Sequence, residues 1–407
     1  MKAYLVDILD SHIAGSELSR IGVSATGRMI MGEKLKYIII KLKKINATAL
    51  NILKQEALGI GAEVANHKDV ITGKIPVSDS ILFGTPVQLR IIVKKIKLQQ
   101  FGLNELSNEL ENILTECDRS FKKNNPRKIK TKATDKDIVF NGKTYIMGIL
   151  NVTPDSFSDG GKFYDYKDAL KRGIEIEKEG GDIIDVGGES TRPYSEEVDI
   201  RTEIDRVCPV IEKLSKTVSI PISIDTRKPE VAKEALKAGA SIINDVSGLS
   251  YDAENMAKVL LDFDAPYIMM HSREKKPEDM QKDIEPYDDI FFEILVYFKK
   301  KLEYLELKGY NTDNVIIDPG FGFAKTLEDN YNLLSGIISF KSLGKPLLAG
   351  VSRKSLIKNI AKNDKNSILS GSVAIASYLK IKGADIVRVH DVKQTSSALS
   401  LLEKINL

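Results

Sequence analysis

A chain of 407 residues is long enough for two domains, and its 42% hydrophobic and 29% charged composition is typical of a globular protein with a sizeable core. No apolar run is long enough to span a bilayer and the first residues lack the apolar segment of a secretory signal, so we expect a cytoplasmic protein without membrane contact. The two cysteines, Cys117 and Cys208, have no metal-ligand spacing, which excludes a zinc-finger or disulfide framework.

The net charge of +3 is unevenly distributed along the chain. Residues 1–135 contain 22 Lys and Arg against 14 Asp and Glu, an excess of +8, and the remaining residues carry −5. A basic segment can indicate contact with nucleic acid. Here the lysines are scattered through helical and strand patterns without interleaved aromatic residues, so we expect a solvated surface and no nucleic-acid partner.

The first 120 residues are predicted to form a small α/β domain. Residues 1–30 alternate weakly and contain several glycines, which indicates strand or loop. The apolar spacing that follows predicts strand Tyr37–Ile45, helix Ala47–Leu58, strands Glu63–Ala65, Val70–Thr72 and Ser80–Phe83, and helices Pro86–Leu98 and Leu103–Leu114. No motif in this region indicates a reaction, because a lone histidine such as His67 is more often structural than catalytic.

Residues 121–137 are rich in Lys, Arg, Asn and Thr and have almost no apolar side chains, which is typical of a charged linker. We therefore divide the chain into three parts: a small α/β N-terminal domain of unknown role at 1–120, a basic linker at 121–137 and a catalytic domain at 138–407.

Strand and helix patterns alternate after the linker. The predicted strands are Tyr145–Leu150, Ile183–Val186, Ile220–Ile224, Ser241–Ile243, Tyr267–Met270, Val315–Ile317, Pro346–Val351 and Ile386–Val389. The predicted helices are Tyr166–Glu179, Glu203–Leu214, Glu230–Ala238, Ala253–Phe263, Ile290–Lys308, Leu327–Ile338, Ser367–Lys382 and Ser397–Ile405. The sequence thus predicts an α/β fold, a (β/α)8 TIM barrel preceded by a smaller α/β domain. A doubly wound open sheet is the alternative, and we favour the barrel because polar residues follow nearly every strand.

Polar side chains stand where these predicted strands end. They are Asn151, Asp185, Glu189, Asp225, Arg227, Asn244, Asp245, His271, Asp318, Lys325, Arg353, Lys354, Ser355, Arg388, His390 and Asp391. Because an unpaired polar group is costly in a protein interior, such a series indicates a shared site. Asp225, Asn244 and Asp318 suit the donors and acceptors of a planar heterocycle. Arg388, His390 and Lys354, with Asn151 available to a cation that prefers oxygen ligands, suit a phosphate or diphosphate. The motifs of serine hydrolases, dinucleotide-binding enzymes, Walker-type nucleotide-binding enzymes and zinc hydrolases do not occur.

Seven segments of the chain resemble the motifs of a known family. They are NVTPDSFSDGG at 151–161, GGESTRP at 187–193, SIDT at 223–226, INDVSG at 243–248, DPGFGFAK at 318–325, GVSRKS at 350–355 and RVHDV at 388–392. In this order they resemble dihydropteroate synthase, over residues 138–407. The resemblance implies a (β/α)8 barrel and a homodimeric transferase that uses Mg2+. Its reaction joins 6-hydroxymethyl-7,8-dihydropterin diphosphate to p-aminobenzoate, giving 7,8-dihydropteroate and pyrophosphate in folate synthesis.

Roles for individual residues follow from the same resemblance, position by position. It implies that Asn151 binds Mg2+ with the diphosphate, and that Arg388 and His390 hold the diphosphate. The pterin would be held by Asp225, Asn244, Asp318 and Lys354. The remaining substrate-binding residues, mostly around p-aminobenzoate, would be Phe157, Thr191, Arg192, Pro193 and Ser355. The catalytic set would be Asp159, Asp225, Asp318 and Lys354, in an SN1-like displacement in which pyrophosphate leaves before the arylamine attacks.

Two other functions are compatible with a pterin-binding barrel. A methyltetrahydrofolate–corrinoid methyltransferase is similar in its barrel, but it has no diphosphate to bind and no need for SRKS and RVH together. A non-catalytic pterin-binding or scaffold protein would have no need for so many polar strand ends. We therefore favour the synthase.

Overall fold

The computed structural model describes residues 18–122, 127–131, 137–153, 166–189, 197–273 and 285–405. The chain divides into two compact units, Met1–Asn125 and Pro126–Leu407. In the part of the chain that the structure describes, no helix is long and apolar enough to cross a membrane.

The N-terminal unit contains a three-stranded antiparallel sheet, in the order β1-β3-β2. Its strands are β1 (Ile38–Asn46), β2 (Glu63–Asn66) and β3 (Val77–Gly84). Ile38, Ile40 and Leu42 of β1 are buried, whereas Ile39 and Lys41 between them are exposed. This alternation follows from the two-residue period of a strand and leaves one face of the sheet for packing against helices.

Helices supply the rest of this core. They are α1 (Ala25–Gly32), α2 (Ala47–Leu58), α3 (Pro86–Ile96) and α4 (Leu103–Lys122), with a 3-10 turn at Glu33–Leu35. Asn46 caps α2 by accepting from the Ala49 N–H at 2.8 Å, and Thr85 and Gln88 form a capping box on α3.

Two predictions for this unit are wrong. A helix, α1, occupies the end of the segment 1–30 that was predicted as strand or loop, and Ser24 caps it by accepting from the Gly27 N–H at 3.1 Å; residues 1–17 of that segment lie outside the described residues. The predicted strand Val70–Thr72 is a run of turns in which the Val70 side chain is nevertheless buried.

The barrel unit begins with a short antiparallel pair, β4 (Arg127–Ile129) and β5 (Ile138–Phe140). Ile129 and Ile138 are 0% and 2% exposed and belong to a cluster with the residues that point into the barrel. The pair therefore closes one end of the barrel. This changes the interpretation of the predicted linker: residues 127–129 within it are part of the barrel unit, because one isoleucine there is buried.

Eight parallel strands form the barrel. They are β6 (Tyr145–Asn151), β7 (Ile183–Gly187), β8 (Ile222–Asp225), β9 (Ile242–Asp245), β10 (Tyr267–Met270), β11 (Val315–Asp318), β12 (Leu348–Ala349) and β13 (Ile386–Val389). Neighbours pair in the order β11-β10-β9-β8-β7-β6-β13-β12, and a parallel bridge between Ile317 and Leu347 joins the two ends of this series. The sheet is therefore closed, which confirms the barrel and excludes the open doubly wound sheet.

Helices follow the strands and cover the outside of the sheet. They are α5 (Tyr166–Lys178), α6 (Ile200–Ser215), α7 (Pro229–Ala238), α8 (Ala253–Phe263), α9 (Ile290–Leu307), α10 (Leu327–Gly336), α11 (Ser355–Ala361), α12 (Lys365–Ile381) and α13 (Val392–Lys404), with 3-10 turns at Thr312–Asn314 and Ile337–Leu343. The sequence did not predict the short α11, and it placed the start of α13 five residues late, at Ser397.

The inner side of the barrel has an apolar layer near the β4–β5 pair and a polar layer nearer the carboxyl ends of the strands. Met147, Ile183, Ile242, Ile316 and Ile386 share the cluster of Ile129 and point inward. Because side chains alternate along a strand, the residues two positions further on also point inward. Several of those residues are charged or polar.

Candidate active site

The polar layer lies at the carboxyl ends of the strands. Two residues after the apolar layer come Asp185 on β7, Asn244 on β9, Asp318 on β11 and Arg388 on β13. Strand β8 contributes Asp225 at its last position. Each of these residues stands on a strand of the closed sheet, which fixes its backbone position.

Arg388 joins three strands across the barrel interior. Its Nε donates to Asp185 Oδ2 at 2.6 Å, and its Nη2 donates to Asp225 Oδ2 at 2.6 Å. Asn244 Nδ2 donates to the same Asp185 oxygen at 3.1 Å. The sequence pattern assigns Asp225 to the ring and Arg388 to the diphosphate as separate groups, and the structure brings them into direct contact.

Burial and charge set the ionisation of this group. Burial raises the pKa of Asp225 to about 7, opposed by Arg388 and reinforced by Asp185. Burial acts to lower the pKa of Arg388, but the two carboxylates outweigh it and hold that pKa above its ordinary value. Arg388 is therefore a permanent cation, whereas Asp225 can exchange a proton near neutral pH.

Asp318 and Lys354 occupy the opposite side of the layer. Asp318 Oδ1 accepts from the Gly320 N–H at 2.8 Å, and Lys354 Nζ donates to the Phe321 carbonyl oxygen. Burial raises the pKa of Asp318, opposed by Lys354, and burial lowers the pKa of Lys354 to about 8, opposed by Asp318. Gly322 has a φ of +77°, and a Cβ there would lie 3.3 Å from Lys354 Cδ, so glycine lets the lysine reach this position.

Asn151 stands at the end of β6, on the same side of Gly187 as the Asp225 carboxylate. A Cβ at Gly187 would lie 3.8 Å from Asn151 Oδ1 and 3.7 Å from Asp225 Oδ2. Within the described ranges, no group of three or more His, Cys, Asp or Glu side chains could hold a metal ion. One amide oxygen near a carboxylate fits Mg2+, because this ion binds oxygen ligands and usually takes most of them from phosphate and water.

His390 and Arg353 lie at the rim. His390 Nδ1 is 3.2 Å from Ser352 Oγ, and Arg353 Nε donates to Asp391 at 3.1 Å. These residues line a cavity of about 370 Å³ together with Ile149, Arg172, Glu179, Val392 and Gln394. Ser355, the first residue of α11, is exposed.

A buried ionic cluster lies behind β7 and β8. Lys228 Nζ donates to Glu203 Oε2 at 2.6 Å and to the Val198 carbonyl oxygen at 2.6 Å, and Glu189 Oε1 accepts from the Val198 N–H at 3.0 Å. Lys228 and Glu203 are 1% and 0% exposed. The cluster therefore fixes the end of the β7 segment against the residues that lead into α6.

Several predicted site residues lie outside the described residues, so nothing is stated of their positions. They are Phe157, Asp159, Thr191, Arg192 and Pro193. The predicted residues that the structure brings together are Asp225, Asn244, Asp318, Lys354 and Arg388. Sequence analysis placed Asp185, His271 and Lys325 at the barrel mouth without a role. For Asp185 the signal was available, since it lies two residues after Ile183 on the inward face.

Comparison with known proteins places the chain in a family. Residues 147–390, more than half of the chain, match the family model described as "Pterin binding enzyme". The dihydropteroate synthase of Escherichia coli strain K12 is 43% identical over 259 residues, which are 64% of this chain and 90% of that protein. A structure of Xanthomonas albilineans dihydropteroate synthase with 4-aminobenzoic acid has a TM-score of 0.63 and 36% identity, covering 69% of this chain and 99% of that one.

A second kind of relative covers the N-terminal unit as well. The Halobacterium salinarum protein named "Probable bifunctional folylpolyglutamate synthase/dihydropteroate synthase" is 35% identical over 403 residues, which are 98% of this chain and 46% of that protein. The N-terminal unit is thus shared with this relative, whereas the match with the E. coli protein covers only 64% of the chain. A closed barrel, a polar inner layer and these matches together show that the chain belongs to the pterin-binding enzymes and, among them, to the dihydropteroate synthases.

Proposed function

We propose that this chain joins 6-hydroxymethyl-7,8-dihydropterin diphosphate to p-aminobenzoate, releasing pyrophosphate and giving 7,8-dihydropteroate. The observation that carries the proposal is the polar layer inside the barrel, in which Asp185, Asp225, Asn244 and Asp318 surround one arginine, Arg388. A purely structural barrel would gain nothing from four buried polar side chains and a partly buried arginine in its interior.

The pterin end is assigned to Asp225, Asn244, Asp318 and Lys354. Buried carboxylates and an amide can pair with the ring N–H and amino groups of a pterin, and a lysine can donate to its carbonyl oxygen. Sites built this way reject analogues that leave a buried partner unpaired. Asp318 and Asp225 would also stabilise the positive charge that develops when the carbon–oxygen bond to the diphosphate breaks.

The leaving-group end is assigned to Arg388, His390 and Asn151. Arg388 keeps its charge at any working pH and can move its donors from the two carboxylates to the departing oxygens. Asn151 would hold Mg2+ together with the diphosphate, and the ion would neutralise charge on the leaving pyrophosphate. The resemblance assigns p-aminobenzoate to Phe157, Thr191, Pro193 and Ser355, with Arg192 as a further substrate-binding residue and Asp159 as a further catalytic residue.

A coupled assay for pyrophosphate release tests the proposal. We expect release that requires both p-aminobenzoate and Mg2+, with 7,8-dihydropteroate formed in equal amount. No release from the pterin diphosphate in the presence of both would contradict the synthase. Methyl transfer from methyltetrahydrofolate to a corrinoid would identify the alternative instead.

Two broader properties are also proposed, the first from the resemblance and the second from the sequence pattern. We propose a homodimer, which light scattering on the purified full chain would test. We also propose a cytoplasmic location, which fractionation of the source cells would test.

A further inference from the structure

Lys325 is a buried lysine at the barrel mouth that the proposed mechanism does not use. It is 4% exposed, and its Nζ lies 3.0 Å from His271 Nδ1 and 3.0 Å from the Phe323 carbonyl oxygen. Among the described residues it forms no ion pair with a carboxylate. Because burying an ammonium group with no carboxylate in direct contact is costly, this position calls for a functional reason.

His271 acts as the acceptor of this pair. Burial, followed by the charges of Lys325 and Arg273, holds the pKa of His271 well below its ordinary value, so its ring is neutral. The ring packs edge-on against Tyr297, with centroids 4.7 Å apart. Its orientation is therefore fixed, and Lys325 is the donor to Nδ1.

Lys325 and Lys354 hold the same loop from two sides. Lys354 donates to the Phe321 carbonyl oxygen and Lys325 to that of Phe323. The loop also packs closely against the end of β10, since a Cβ on Gly320 would lie only 2.1 Å from the His271 carbonyl oxygen. The Gly320 N–H in turn donates to Asp318. Moving Lys325 would therefore disturb the loop that orients both Asp318 and Lys354.

Charge balance gives Lys325 a second link to Asp318. The buried carboxylates at the mouth are Asp185, Asp225 and Asp318, and the cations beside them are Lys325, which is buried, and Arg388 and Lys354, which are partly exposed. Lys325 is one of the positive charges that act to lower the pKa of Asp318 against the effect of burial. Without Lys325, three carboxylates would face two cations.

We propose that Lys325, held by His271, is a positioning residue for pterin binding: it fixes the loop from 319 to 324, which orients Asp318 and Lys354 toward the ring. This inference rests on the proposed function and deepens it. The groups that face Lys325 from its neighbouring elements are His271, Arg273, Tyr287, Asp318, Asp329 and Lys354. Burial lowers the pKa of Lys325 to about 7, opposed by Asp318, so its charge can change within the working range of pH.

The test uses the full chain and three variants. Lys325→Met removes the charge and both hydrogen bonds at similar volume, and Lys325→Arg keeps the charge. Lys345→Met is the matched control, because Lys345 is also largely buried but donates to Thr312 at the base of the barrel. Calorimetric titrations with 6-hydroxymethyl-7,8-dihydropterin and, separately, with pyrophosphate and Mg2+ measure the two ends of the site independently.

We expect Lys325→Met to bind the pterin at least about tenfold more weakly and pyrophosphate as the wild type does. In this variant the acid limb of the pH profile of kcat/KM for the pterin diphosphate should move to higher pH. Asp318 loses a nearby positive charge, and its pKa rises. Lys325→Arg should restore part of the pterin affinity, and Lys345→Met should change neither ligand.

A folded Lys325→Met with unchanged pterin affinity would overturn the proposal, and so would an equal loss for both ligands. If Lys325→Met does not fold by circular dichroism, His271→Phe, which removes only the acceptor, must show the selective loss of pterin binding instead. Failure of the synthase reaction in the wild type would be seen as missing pyrophosphate release, which is separate from these binding measurements.

Discussion

Replacing Asp185 by asparagine removes one negative charge from the polar layer without changing the size of the side chain. Asp185 Oδ2 accepts from Arg388 Nε at 2.6 Å and from Asn244 Nδ2 at 3.1 Å, and the residue is fully buried. Asparagine has the same size, so the barrel should keep its packing. Its amide cannot supply the anionic oxygen that both donors share, and Arg388 would then depend on Asp225 alone.

The expected magnitude follows from the lost interaction. A hydrogen bond to a charged group contributes about 1.5–3 kcal/mol, which corresponds to roughly a 10- to 100-fold loss of kcat/KM for the pterin diphosphate. The substitution should also shift the pH dependence of the reaction, which is measured separately from its rate. Asp185 is one of the charges that raise the pKa of Asp225, so the substitution should lower the pH at which Asp225 titrates.

The assay is steady-state pyrophosphate release across a range of pH, with Asp245→Asn as the control. Asp245 is equally buried but points away from the site, where it accepts from Tyr267 Oη at 2.6 Å and from the Ser247 N–H at 2.8 Å. The control should lower Tm and leave kcat/KM within about threefold. A folded Asp185→Asn enzyme with wild-type kcat/KM would refute the reasoning, because Arg388 would then not need this carboxylate.

Three further predictions concern the leaving group, the linkage of stability to pH, and the domain boundary. Arg388→Ala and His390→Ala should each weaken calorimetric binding of pyrophosphate with Mg2+, and unchanged affinity in both would place the anion elsewhere. Because the pKa of Asp225 rises from 3.8 to about 7 on folding, its contribution to stability falls as pH rises through that interval. Asp225→Asn should therefore raise Tm more at pH 8 than at pH 5, and an equal change at both would contradict the shift. A chain beginning at Pro126 should keep kcat within a few-fold of the full chain. A chain beginning at Asp135 lacks β4 and should have a lower Tm. Equal Tm values for the two chains would show that the β4–β5 pair is dispensable for stability.

The barrel could be predicted because its strands are buried on both faces. Continuous apolar runs such as 267–270 differ clearly from the amphipathic helices between them, so the order and number of strands were correct. The predicted first and last residues of the strands agree less well with the structure. The run Pro346–Val351 predicted a strand of six residues, and only Leu348–Ala349 pairs as one, because ladder hydrogen bonds depend on the neighbouring strands and not on local composition.

The site was predicted as a set of positions but not as a set of contacts. The strand-end pattern identifies Asp225 and Arg388 without showing that they touch, since 163 residues separate them. Their contact depends on β13 lying beside β6, and on β6, β7 and β8 being consecutive in the closed sheet. Pair geometry of this kind requires the barrel to be assembled first, which is why Asp185 received no role from the sequence.

The segment predicted as a linker, residues 121–137, also shows that local composition does not predict packing contacts. Its composition is that of a solvated linker, and the few apolar side chains in it, Ile129 among them, do not change that composition. In the structure Ile129 is fully buried beside Ile138, and β4 pairs with β5 across the end of the barrel. A fully buried isoleucine contributes about 1.5–3 kcal/mol, a large part of the stability of an ordinary domain. Sequence composition therefore locates the boundary region. One packed side chain, Ile129, decides how far the chain can be shortened, and a chain that keeps the barrel intact must still contain Arg127.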